Sequence, residues 1–158
     1  MRGKRTGTGA ALVAGALAVA GLAFAPSAVA VTPQSATITA NCGFFGGGQA
    51  TLTATQDGTS ATVTLTSTAI TAPIALAQDS ITSTLTMANA GGGSVAFSGT
   101  KNPAMKAGDP VTVGPLSGTV ASGDSLDAYG GSLKMTIFGI TITCTATNPQ
   151  SPGPFVFD

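Results

Sequence analysis

Polar and apolar residues alternate with period two, glycine and proline punctuate the chain at short intervals, and no stretch carries an amphipathic helical stripe. These three observations predict an all-β protein, an antiparallel β-sandwich of about seven to nine short strands. The first strand places Ala36, Ile38, Ala40 and Cys42 on one face and Thr37, Thr39 and Asn41 on the other. Next, Ala50, Leu52 and Ala54 alternate with Thr51, Thr53 and Thr55, and Ala61, Val63 and Leu65 with Thr62, Thr64 and Thr66. Ile81, Ser83, Leu85 and Met87 alternate with Thr82, Thr84 and Thr86. Ser94–Ser98 is a shorter run, Val111–Val113 and Leu116–Val120 are interrupted by Gly114-Pro115, and Leu133, Met135 and Ile137 alternate with Lys134 and Thr136. The last strand sets Ile140, Ile142, Cys144 and Ala146 against Thr141, Thr143, Thr145 and Thr147. Threonine is β-branched and supplies a polar outer face without charge. Turns fall at Gly46-Gly47-Gly48, Asp57-Gly58, Gly91-Gly92-Gly93, Gly108-Asp109-Pro110, Ser122-Gly123-Asp124 and Gly130-Gly131.

The N-terminus reads as a secretory signal peptide over residues 1–30. Arg2, Lys4 and Arg5 precede an apolar run from Ala10 to Ala25, and Ala28-Val29-Ala30 has the small-residue form of a cleavage site. The run is shorter than the ~20 residues a spanning helix needs, so no stable membrane anchor is expected after cleavage. A mature chain beginning near Val31 keeps 128 of the 158 residues. Residues 31–148 form the expected sandwich domain, and residues 149–158 an extended proline-rich tail.

Cys42 and Cys144 are the only cysteines, and both fall on the core-facing parity of their strands. A disulfide between them is expected to join the first strand to the last. Exported proteins with two cysteines generally pair them. In the chain-entropy picture a loop of about 100 residues contributes ~4.7 kcal/mol. This matters because the chain is 43% hydrophobic but only 5% aromatic. Much of its apolar content is alanine, which buries little area per residue.

Charge and chemistry mostly exclude functions. Residues 31–158 carry Lys101, Lys106 and Lys134 against six aspartates, a side-chain balance of −3, with no Arg, Glu or His. Nucleic acid is therefore not an expected partner, because phosphate binding needs clustered cations. Ser-His and Cys-His catalysis and imidazole metal ligation have no residues to use. The closest pair of carboxylates, Asp124 and Asp127, lies in an expected Gly/Ser loop, Ser122–Gly130. The pair could offer oxygens to calcium, but its spacing matches no EF-hand, and solvated turn aspartates are the plainer account. Ser98-Gly99-Thr100-Lys101 has the Ser-x-x-Lys spacing of serine acyl-transferases. It follows a strand instead of opening a helix, and Asn102-Pro103 blocks a helix there. No catalytic residue, cofactor or metal site is assigned.

One surface candidate remains, the loop Gly43-Phe44-Phe45-Gly46-Gly47-Gly48. Phe44 and Phe45 form a contact loop if either meets solvent. The commoner fate of such residues is to plug the open end of a sandwich beside Cys42.

The early strand Ala36-Thr37-Ile38-Thr39-Ala40-Asn41-Cys42, the segment Lys106-Ala107-Gly108-Asp109-Pro110-Val111-Thr112-Val113 and the closing Thr141-Ile142-Thr143-Cys144-Thr145-Ala146 carry a pattern-level resemblance. Together with the signal, they resemble secreted actinobacterial β-sandwich proteins of unknown function. That resemblance implies an exported Ig-like domain with one terminal disulfide, and it transfers no functional residues. The expectation is a secreted, non-enzymatic binding or structural protein, extracellular or associated with the cell wall. Its partner would be an extracellular protein or a cell-wall glycan. The alternative is an Asp-based extracellular enzyme or inhibitor, with or without calcium at Asp124 and Asp127.

Overall fold

The computed structural model describes residues 31–158; the signal peptide expected over residues 1–30 lies outside the described residues. Ten strands follow in chain order: β1 (Val31–Thr32), β2 (Ser35–Asn41), β3 (Gly47–Asp57), β4 (Ser60–Thr71), β5 (Thr82–Asn89), β6 (Ser94–Thr100), β7 (Pro110–Thr119), β8 (Ser125–Ile137), β9 (Ile140–Ala146) and β10 (Phe155–Phe157). A single 3-10 turn, Gly43–Phe45, separates β2 from β3.

All strand pairings are antiparallel. Eight strands close on themselves in the order β8-β5-β6-β7-β4-β3-β2-β9, with β9 returning to β8. The expected Ig-like sandwich is therefore corrected to a barrel. Period-two alternation reports which side chains face inward. It does not report whether the outermost strands find each other. Here they do, at two short seams. β2 meets β9 only through Ala40↔Ala146 and Asn41↔Thr145, and β6 meets β7 through Ser98↔Ser117.

Cys42 and Cys144 are bonded, with Cα atoms 4.0 Å apart. That lies slightly below the roughly 4.4–6.8 Å usual for bridged cysteines. The bridge does not join the first and last strands. It ties the end of β2 to β9, while β1 and β10 lie outside it and pair with each other through Val31↔Phe157 and Thr32↔Val156. The C-terminal residues end in β10, whose Phe155 and Phe157 are buried, and β10 pairs with the N-terminal part of β8. Buried Gln150 fixes the approach: its Oε1 accepts from Ala128 N at 3.0 Å and its Nε2 donates to Gly153 O at 2.9 Å.

Two strands are longer than their sequence suggests. β7 runs through Gly114-Pro115 with one extra residue, since Val63 pairs with Leu116 and Leu65 with Val113. β8 includes most of the segment expected as a loop around Asp127. Ala88 pairs with Asp127 and Thr86 with Ser132, so Ala128–Gly131 bulge out of the ladder. Gly131 sits so close to Thr86 that any β-carbon there would collide with the Thr86 carbonyl oxygen. The glycines read as punctuation are here bulges within continuous strands.

The core fills the barrel. Leu52, Val63, Ile81, Met87, Phe97, Val113, Leu116 and Leu126 are fully buried, and threonines occupy the outward positions of β3 and β4. Apolar inside and hydroxylated outside is the reverse of the pattern of a membrane-spanning barrel. No helix of the described residues is long and apolar enough to cross a membrane.

Candidate functional site

Antiparallel order brings four connections to one end of the barrel: the 3-10 turn after β2, the long β4–β5 and β6–β7 connections, and the β8–β9 hairpin. Beneath them lies a cavity of about 310 Å³. Its deep wall is Cys42, Leu76, Ile81 and Met135, all buried. Its sides are Ile70, Val111, Ile137 and Ile142, from the ends of β4 and β8 and the starts of β7 and β9. A smaller void of about 30 Å³ continues inward, sharing Cys42, Ile70, Val111 and Met135 with the first. Thr71 is the one polar residue lining the larger cavity, and no ionisable side chain lines it.

The mouth is apolar as well. Phe45, Ile74, Phe138 and Ile140 line the cavity and are 50%, 51%, 73% and 58% exposed, while Phe44 next to them is 99% exposed. These five make up most of the large exposed hydrophobic residues of the described chain, and only Tyr129 and Val156 lie elsewhere in it. The expectation that Phe44 and Phe45 plug the end of the fold is corrected. Phe45 half-covers the mouth, and Phe44 stands against it edge-to-face, ring centroids 5.9 Å apart and planes at 86°, pointing into solvent. The turn is too short to fold both rings inward. It is held by Cys42 N donating to Gly46 O at 2.7 Å and Gly43 N to Asn41 Oδ1 at 2.8 Å.

The rest of the end is roofed by the two long connections, which zip together. Leu76 and Met105 exchange backbone hydrogen bonds of 2.8 and 2.9 Å, and Ala72 N donates to Asp109 O at 2.9 Å. Buried Asn102 is the clasp. Its Oδ1 accepts from Ser80 N and Ile81 N, both at 2.8 Å, and its Nδ2 donates to Ala77 O and Pro103 O at 2.9 and 2.8 Å. Full satisfaction of a buried amide makes such a roof specific in geometry.

The polar candidates are engaged in structure. Asp124 accepts from Asn89 Nδ2 at 2.7 Å and from Ala121 N at 2.8 Å. Asp127 accepts from Tyr129 N at 2.8 Å and from Gln150 N at 3.2 Å. The two carboxylates serve different partners, and among the described residues no group of three His, Cys, Asp or Glu side chains gathers in a way that could hold a metal ion. Ser98 lies on β6 and Lys101 just beyond it, where its ammonium pairs with Asp79 at 3.4 Å on the surface. Half-exposed Tyr129 lies outside the cavity wall.

Sequence reasoning missed Ile70, Ile74, Phe138 and Ile140. Two signals marked them. Ala69-Ile70-Thr71-Ala72-Pro73-Ile74 is apolar through the start of a connection, and Phe138-Gly139 places a large apolar residue at a hairpin tip. Both break the rule that turns are polar.

No family model, curated protein or solved structure matches the chain.

Proposed function

We propose that this is an exported, non-enzymatic binding protein that takes up a small, neutral, apolar ligand in the open end of its barrel. The observation that carries this reading is the cavity of about 310 Å³ lined by apolar side chains and a single threonine. Its size stands at the lower end of the roughly 300–1,000 Å³ typical of small-molecule sites. Eight strands enclose an interior that side chains fill or that holds one small ligand, and here the filled core and the ligand space occupy successive levels of one barrel. A glycan would need convergent hydroxyl and amide partners, which these walls do not offer, and an anionic headgroup would need a cation.

Export is supported by the basic start, apolar run and Ala28-Val29-Ala30 of the sequence and by a disulfide, a bond that persists in oxidising compartments. The non-enzymatic reading is supported by the absence of His, Glu and Arg from residues 31–158.

Titration with a neutral solvatochromic dye such as Nile red tests the proposal. The wild-type protein binds one equivalent saturably with a blue-shifted emission. Ile74→Asp puts a carboxylate at the half-exposed mouth and weakens that binding at least about tenfold while the melting temperature stays near wild type. Absence of saturable binding by the wild-type protein, or equal binding by Ile74→Asp, overturns the reading.

A further inference from the structure

We propose that the aromatic rim around the cavity mouth is a lipid-contact surface, through which the barrel docks on an uncharged lipid interface with its cavity facing the lipid. The inference deepens the cavity reading and rests on it for the direction of transfer. The rim itself is a separate observation.

Folding does not explain these side chains. Phe138 and Gly139 are the two central residues of the β8–β9 hairpin, closed by Ile137↔Ile140, and both have positive φ, 50° and 79°. Such a turn favours Asn-Gly or Asp-Gly, and phenylalanine is poorly suited to the left-handed conformation. The residue that suits the backbone least is also largely exposed and returns nothing to the core. Phe44, on the other tip, shares the exposure though not the positive φ. It is fully exposed on a turn fixed by the disulfide at Cys42 and by local hydrogen bonds, so a rigid frame presents it outward. Outliers of this kind mark places where function overrides folding preference.

The chemistry of the rim selects the partner. Residues 42–49, 69–76 and 137–142 carry no ionisable side chain. A protein interface of useful specificity brings a polar rim and about one hydrogen bond per 100–200 Å². These tips offer separate aromatic and aliphatic protrusions and few side-chain donors. A fluid lipid interface accommodates protrusions without matching their shape and favours aromatic residues at headgroup level. The aromatic tips carry no cation, and on the roof beside them Lys101 and Lys106 are matched by Asp79 and Asp109. This end therefore has no net positive charge to make binding depend on anionic lipid. The mouth opens among the same side chains, so a neutral apolar molecule dissolved in the lipid would enter the cavity without crossing water.

The chain has no tryptophan, so Phe44→Trp supplies a single reporter. With phosphatidylcholine vesicles its emission shifts to the blue, and the shift persists in high salt. In flotation with the same vesicles, Phe44→Ser partitions about tenfold less than wild type, as expected for exposing one phenylalanine side chain. All variants are compared at an identical N-terminus, verified by intact mass, so that residues 1–30 contribute equally. Phe44 does not line the cavity, so Phe44→Ser keeps its dye binding in solution. Lost flotation with intact dye binding supports the lipid surface, and lost dye binding by wild type strikes the cavity reading alone. An unshifted tryptophan, flotation equal to wild type in Phe44→Ser, or flotation only with anionic vesicles at low salt overturns the inference. A wild-type dimer that Phe44→Ser converts to monomer, without vesicle binding, overturns it in favour of a second copy of the chain on the rim.

Discussion

Cys42 and Cys144 are bonded across the seam between β2 and β9, which the backbone holds by only two register pairs. The adjacent β2–β3 ladder runs unbroken from Ser35↔Thr53 to Asn41↔Gly47. The bridge thus reinforces one of the barrel's two short seams, the other being the β6–β7 contact at Ser98↔Ser117. It also holds the base of the turn that carries Phe44 and Phe45.

Replacing both cysteines by alanine should therefore open this seam first. The bridge spans 102 residues. Its loss is expected to cost about 2–5 kcal/mol, the range for native disulfides of exported domains. Calorimetry measures the cost. Hydrogen exchange should show the amides of Asn41 and Thr145 losing protection before those of β3 and β4. A double variant with wild-type stability and seam protection would contradict this account.

Gly118 supports the second seam. A β-carbon on Gly118 would stand 2.6 Å from Phe97 Cδ1 and 2.8 Å from Ala96 O, and Phe97 is fully buried. Gly118→Ala forces ring and backbone apart and should destabilise by about 1–3 kcal/mol, the usual cost of overpacking. Urea unfolding gives the value, and a change below the noise would show that Phe97 has room to move.

Asn102→Ala removes the clasp of the roof. The amides of Ser80 and Ile81 and the carbonyls of Ala77 and Pro103 lose their side-chain partner. Buried groups left unpaired cost about 1–3 kcal/mol each, though water entering an opened roof recovers part of this. The melting temperature should fall by roughly 5–15 °C. Proteolysis should become selective for the Ala72–Ile81 connection. Uniform proteolysis with no drop in melting temperature would count against the clasp.

Ser83 is the opposite case. Its hydroxyl is buried and has no hydrogen-bond partner among the described residues. Ser83→Ala should leave stability unchanged or raise it by about 1 kcal/mol, because an unsatisfied hydroxyl is removed at the cost of little volume. A clear loss of stability in the alanine variant would refute the orphaned state.

The sequence by itself determined the two faces of β2, β3, β4, β5 and the C-terminal half of β8. β1 and β10 went unread as strands, and Ile140, grouped with the inward residues of β9, is exposed. Ile38, Leu52, Val63, Leu85 and Met135 face inward and the threonines between them outward, because β geometry turns period-two alternation directly into two faces. The Cys42–Cys144 bond was legible for the same reason, since both residues lie on the inward parity. Only the tertiary structure decided that the strands close. Ala40 reaching Ala146 and Ser98 reaching Ser117 are long-range register choices, set by bulges at Gly114 and Ala128–Gly131 and by the packing of the whole core. The cavity belongs to that second level as well. Ile70, Ile74, Phe138 and Ile140 are far apart in the chain and become one apolar mouth only because antiparallel closure delivers their four connections to the same end.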